Sequence, residues 1–277
     1  MSATSKHVPR SGTVHTNGQE LYYEIHGDGP PLVLLMGIGY DSSLWTLQQV
    51  PELCTRFQVV LVDNRDAGRS SRTIHSYTIA DMADDVAGLL DGLDIHHTHL
   101  LGLSMGAMIG MEFALRHADR LDRLVLAGPG AAPARSAVDP ISIWNWVKAN
   151  DPSGAVFGAQ QFTWLFSWSF LRNQQAVQDT IALLASNPNP VKAEAYDRQA
   201  QAYLQFDALD RLGGIKAPTL VIVGEQDLLT PPWVAREVAD GIPAARFELV
   251  TGDGTSHVLP LERPDDFNQL VTNFLAE

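Results

Sequence analysis

Apolar side chains occur along this chain in two rhythms. In the first, short runs are apolar at nearly every position: Pro31 to Met36, Phe57 to Val62, Thr98 to Leu103, Leu121 to Leu126 and Thr219 to Gly224. Runs of that length suit strands, and a strand apolar on both faces belongs inside a parallel sheet. In the second rhythm, apolar positions recur every three or four residues. Ile79, Met82, Val86, Leu89, Leu90 and Leu93 share one helical face, as do Phe267, Leu270, Val271 and Phe274 near the end of the chain. Thr78 with Asp81 three residues on marks the start of the first of these helices as a capping box. Further helices are predicted over Ser42 to Leu53, after Ser104 to Arg116, and over Pro232 to Ala239, with a strand from Arg246 to Val250. Gly12 to Ile25 semi-alternates around Asn17-Gly18, the signature of a hairpin at a sheet edge. Strands alternating with helices give an α/β fold, a mostly parallel sheet with helices on both faces.

The alternation stops between residues 134 and 206. That stretch carries amphipathic helical pieces and four of the six tryptophans, Trp144, Trp146, Trp164 and Trp168. A helical cap, or lid, over 134–206 is predicted, inserted into a core made of 1–133 and 207–277. Composition adds mainly exclusions. The net charge of −13 repels phosphate backbones, which excludes nucleic acid as a partner. A single cysteine, Cys54, permits no internal disulfide and no thiolate metal cluster, which fits a reducing compartment. The opening MSATSKHVPRSG lacks the apolar segment of a signal peptide, and no run is long enough for a membrane span, so a cytoplasmic location is expected.

Chemistry concentrates where the strand from Thr98 runs into a helix. Gly102-Leu103-Ser104-Met105-Gly106 is a G-x-S-x-G pattern between a buried strand and a buried helix, with glycines where a tight turn leaves no room for side chains. An acid after a later strand, Asp227 in Gly224-Glu225-Gln226-Asp227, and a late loop histidine, His257, follow in the order Ser, Asp, His. Glu225 and Asp253 are fallback acids. His96, His97 and His99 stand at the opposite end of the elbow strand and read as a solvated loop rather than a metal site, and His117 lies at the far end of the helix. Arg172 reads as a surface residue.

In these motifs the chain resembles the α/β-hydrolase superfamily over nearly its whole length. The resemblance implies that Ser104 is the nucleophile, His257 its base and Asp227 the partner of the imidazole. It also implies an oxyanion hole of main-chain N–H groups, from Met105 and from the loop after the strand ending at Met36. Relatives commonly read His-Gly-x in that loop. Here Met36-Gly37-Ile38 keeps the glycine and makes Ile38 the expected donor. A second motif, Asp63-Asn64-Arg65-Asp66-Ala67-Gly68-Arg69-Ser70, resembles D-x-R-G-x-G-x-S but has Asp66 where glycine is usual, which implies a local change of loop shape. Gly37, Trp144, Trp164, Trp168 and Val258 are the candidate pocket residues.

The activity expected from the resemblance is that of a serine hydrolase needing no cofactor and no metal, cleaving a small carboxylic ester or lactone through an acyl-enzyme. The elbow and compact cap are similar to those of oxoadipate enol-lactonases, aclacinomycin methylesterase and small carboxylesterases. A carbon-carbon bond hydrolase, a cofactor-free perhydrolase and a non-catalytic ligand-binding receptor of the same fold remain open alternatives.

Overall fold

The structure is a computed structural model that describes residues 9–151 and 153–277, so most of the N-terminal stretch read for a leader lies outside it. Among the described residues no helix is long and apolar enough to cross a membrane. The chain opens with the expected hairpin, β1 (Arg10–Thr16) and β2 (Gln19–His26). Asn17 and Gly18 both take positive φ, 50° and 71°, the twist that a two-residue hairpin turn needs. β3 (Pro31–Leu35) and β4 (Gln58–Val62) follow, separated by a 3-10 turn at Ser42–Leu47 and a short helix α1 (Gln49–Leu53). The sequence pattern predicts one continuous helix over that separation. Pro51 prevents it, because its ring would collide with the carbonyl of residue 47 and it has no N–H to donate.

α2 (Ile79–Gly92) begins with the predicted capping box, Thr78 and Asp81 each bonding the other's backbone N–H, and buries Ile79, Met82, Val86, Leu89 and Leu90. β5 (Thr98–Leu103) leads through Ser104 into α3 (Met105–Arg116), and β6 (Leu121–Ala127) comes next. Among the described residues five helices then replace the alternation: α4 (Pro140–Asn150), α5 (Ala155–Leu165), α6 (Trp168–Leu171), α7 (Gln174–Ala185) and α8 (Ala193–Leu204). The regular pattern returns with β7 (Thr219–Gly224), α9 (Pro232–Gly241), β8 (Arg246–Val250), the short α10 (Leu259–Glu262) and α11 (Pro264–Leu275).

The eight strands of the described residues form one sheet in the order β1-β2-β4-β3-β5-β6-β7-β8, antiparallel at β1-β2-β4 and parallel from β4 onward. Strand alternation divides the core. On β3, Val33 and Leu35 join one apolar cluster with residues of α2, α3 and α9. Leu32 and Leu34 join a second, with residues of α1 and α11. After β3 the chain moves to β4 on one side, then crosses to β5 on the other. The sheet order therefore reverses at β3 and β5, and a crevice opens beyond their C-terminal ends, the place where open α/β sheets bind ligands.

Candidate active site

Two loops meet in that crevice. After β5, Ser104 has φ 57° and ψ −119°, a strained backbone conformation that only a tightly constrained turn maintains. The constraint comes from its neighbours. A Cβ on Gly102 would lie 2.2 Å from the Gly106 carbonyl oxygen, and one on Gly106 would lie 2.2 Å from that of Leu35. Neither position accepts a side chain, so the turn lies flat against β3. After β3, Gly37 is pressed against the serine itself, since a Cβ there would sit 3.2 Å from Ser104 Cβ.

The acid and the imidazole come from the loops after β7 and β8. Asp227 Oδ2 accepts from His257 Nδ1 at 2.9 Å, and its Oδ1 accepts the Leu229 and Thr230 N–H groups at 2.9 and 2.8 Å. The carboxylate therefore shapes its own turn ahead of α9 and fixes the histidine ring at once. Glu225 bonds the Gly252 N–H, and Asp253 is exposed, so neither fallback acid holds the ring. With Nδ1 giving its hydrogen to Asp227, Nε2 is left with a lone pair. Nε2 is buried and has no hydrogen-bond partner among the described residues. His257 and Ser104 line the same cavity, and no hydrogen bond joins them directly.

Two residues of this cluster escape a reading of the sequence. Thr230 Oγ1 lies 3.1 Å from His257 Nδ1 and 2.9 Å from Asp227 Oδ2, and it also reaches the Gly128 carbonyl oxygen at 3.0 Å. Gly128, at φ 52°, lies beneath the pair, where a Cβ would come within 3.1 Å of the imidazole. Positive φ and lack of space both favour glycine there, but neither is visible in Ala127-Gly128-Pro129-Gly130 without its distant neighbours.

The cavity has a volume of about 570 Å³, within the usual range for small-molecule sites. Of the candidate pocket residues, Gly37, Trp144 and Val258 line it. Trp164 and Trp168 do not. Helical rotation turns Leu165 inward instead of its neighbour Trp164, and Trp168, at the start of α6, is 73% exposed. Phe166 and Phe170 take the places expected of the tryptophans, stacked with ring centroids 4.2 Å apart. Ile38 is buried on the cavity wall, and Met105, which follows Ser104, is fully buried. Arg172 is exposed and outside the lining.

Asp66 has φ 68°, so it adopts the left-handed conformation for which glycine is the easier residue. Its carboxylate has a partner in the inserted helices: it is buried and forms a two-point pair with Arg198 of α8, both contacts at 2.8 Å. The departure from the motif is a tie between distant segments, more than a change of loop shape. Of the histidine group, His96 and His97 are exposed, whereas His99 is buried edge-on to Phe57, as its place in β5 dictates. Among the described residues no group of three His, Cys, Asp or Glu side chains is placed to hold a metal ion.

A parallel sheet with a strained turn serine after its central strand, and an acid and a histidine after later strands, defines a hydrolase-type α/β enzyme. The chain belongs to the α/β-hydrolase family, whose model, described as alpha/beta hydrolase fold, matches residues 30–264. Among its relatives is a protein of Azorhizobium caulinodans whose provisional name is carbamate hydrolase RutD. It is 31% identical over 268 residues, covering 95% of this chain and 97% of that protein. Similar solved structures include the enol-lactonase of Burkholderia xenovorans, with 32% identity, a TM-score of 0.85 and coverage of 96% of this chain and 100% of that one. A thermophilic esterase of Thermogutta terrifontis has 28% identity and a TM-score of 0.83, covering 96% and 98%.

Proposed function

We propose that this hydrolase cleaves neutral, largely apolar carboxylic esters or lactones through an acyl-serine intermediate, without a cofactor. Ser104 Oγ attacks the substrate carbonyl while His257 Nε2 takes its proton. The main-chain N–H groups of Ile38 and Met105 stabilise the oxyanion that forms. The imidazolium gives its proton to the departing alkoxide. A water deprotonated by His257 then attacks the acyl carbonyl, releasing the acid and restoring the serine. The segment 134–206 acts as the cap that walls the acyl site from water.

The observation that carries this reading is the buried Nε2 of His257, aligned from behind by Asp227 and lacking a partner in the cavity that Ser104 shares. The substrate's character follows from the walls. Arg263 is the only lysine or arginine among the described lining residues, and it is engaged by the Asp253 carbonyl and the Asp266 carboxylate. With Asp253 and Glu262 also in the lining, an anionic substrate finds no free counter-charge.

The test is a series of p-nitrophenyl esters from acetate to octanoate. Turnover by the wild-type protein, lost in Ser104→Ala with the fold unchanged, is expected, and absence of turnover across the series overturns the reading. A second reading, cleavage of a carbamate, is favoured by the name given to the Azorhizobium relative. The same attack on an aryl carbamate leaves a carbamoyl-serine. A kcat/KM for such a carbamate above that for every ester in the series would replace the first reading with the second.

A further inference from the structure

The loop after β3, which carries the Ile38 N–H, is fastened at both ends. At its start the Met36 carbonyl oxygen accepts from Asn64 Nδ2 at 3.2 Å. At its end the Gly39 N–H donates to Gln199 Oε1 at 2.9 Å, while Gln199 Nε2 donates to the Arg65 carbonyl oxygen at 3.0 Å. Gln199 belongs to α8, 160 residues along the chain from Gly39, and is fully buried. Tyr196, one turn earlier on the same helix face, fills the remaining space: a Cβ on Gly39 would lie 2.7 Å from its ring, and Gly39 itself has φ +80°. Gly37 and Ile38 lie between the two fastenings.

We infer that Gln199 is a positioning residue, through which a helix of the inserted segment sets the orientation of the Ile38 N–H toward the reacting carbonyl. The inference rests on the esterase reading and on Ile38 as an oxyanion donor. A loop with glycines at 37 and 39 has more backbone freedom than most. An oxyanion donor is effective only if its direction is fixed before the charge develops, and small misplacements are costly in rate. Gln199 supplies the constraint that the loop's own sequence lacks. Without it the half-buried Gly39 N–H and the buried Arg65 carbonyl both lose their partner, and the loop turns to find others.

The experiment compares Gln199→Met, which nearly keeps the shape and removes both bonds, with Gln199→Asn, which keeps polarity but is too short to span Gly39 and Arg65. Gln199→Glu retains an acceptor for the Gly39 N–H. The control is Asp66→Gly with Arg198→Met, which removes a separate tie between α8 and the core and leaves no buried charge unpaired. Each protein is assayed on a p-nitrophenyl ester, and inhibition constants are measured for an alkyl trifluoromethyl ketone, whose adduct places an oxyanion in the hole, and for the matching secondary alcohol. Gln199→Met and Gln199→Asn are expected to lose kcat by about tenfold or more with KM within about twofold. Their ketone affinity falls in proportion and their alcohol affinity is retained, while Gln199→Glu recovers part of both losses. An equal fall in ketone affinity in the control, or a change in KM with kcat intact, assigns Gln199 a purely structural role and overturns the inference. Unchanged kinetics in Gln199→Asn overturns it even where Gln199→Met does not fold. A wild-type protein that neither cleaves the ester nor binds the ketone overturns the esterase reading itself.

Discussion

The turn from β5 into α3 and the helical insertion between β6 and β7 border the same cavity, yet their residues are constrained in opposite ways. At the turn, main-chain collisions decide identity: Gly102 and Gly106 have carbonyl oxygens 2.2 Å from where a side chain would begin. In the insertion, packing decides, and it decides loosely. Trp144 is buried at the cavity, Trp164 is half-buried outside it, and Trp146 and Trp168 are 67% and 73% exposed. Backbone constraint leaves a short, local signature, whereas a pocket wall is whatever large apolar group the fold turns inward. The chemistry of such an enzyme is therefore fixed by a few positions, and its selectivity is free to vary across many.

Substitutions on the two sides should show this contrast, and the largest effect is expected at the reacting groups. Ser104→Ala and His257→Ala should each lower ester kcat by about 10⁴-fold or more without altering the thermal midpoint greatly. Full activity in His257→Ala would reassign the base. Next comes the turn: Gly106→Ala should destabilise the protein by on the order of 3 kcal/mol, because the new Cβ meets backbone that cannot retreat. Calorimetry showing an unchanged midpoint would mean the turn is less rigid than its geometry. In the insertion, Trp144→Ala should shift the preferred ester toward longer chains and cost roughly 3 kcal/mol. Trp168→Ala should leave chain-length preference untouched and stability within about 0.5 kcal/mol. If the two behave alike, the cavity walls are misassigned.

The smallest effect belongs to the far end of β5. Burial holds the His99 imidazole below its ordinary pKa, an effect partly offset by Asp122. Its folded form thus resists a proton that the unfolded chain accepts near pH 6.5. Stability contributed by neutral His99 is complete above that value and is lost as pH falls through it toward the lower folded value. The thermal midpoint should therefore drop between pH 7.5 and 5.5, and His99→Phe should lessen the drop. An identical pH dependence in the variant would show that other groups are responsible.

The same contrast explains what the sequence makes legible. Periodicity places the central parallel strands, because burial on both faces of β3, β5 and β7 forces nearly continuous apolar runs. The elbow serine, the late histidine and Asp227 stand out because each lies in a loop or turn that follows a strand, with local turn residues around it. Gly128, Thr230 and Gln199 do not, since what makes them matter is a partner between 27 and 160 residues away. Asp66 shows both sides. Its departure from the glycine pattern is visible locally, and its meaning, a pair with Arg198, is visible only in three dimensions.

The most direct test of the Ser104–His257–Asp227 assignment is peptide mass spectrometry after reaction with an alkyl fluorophosphonate. A single covalent adduct on Ser104, absent in Ser104→Ala and formed far more slowly in His257→Ala, is the expected result. No adduct, or one on another residue in a protein that still cleaves esters, would contradict it.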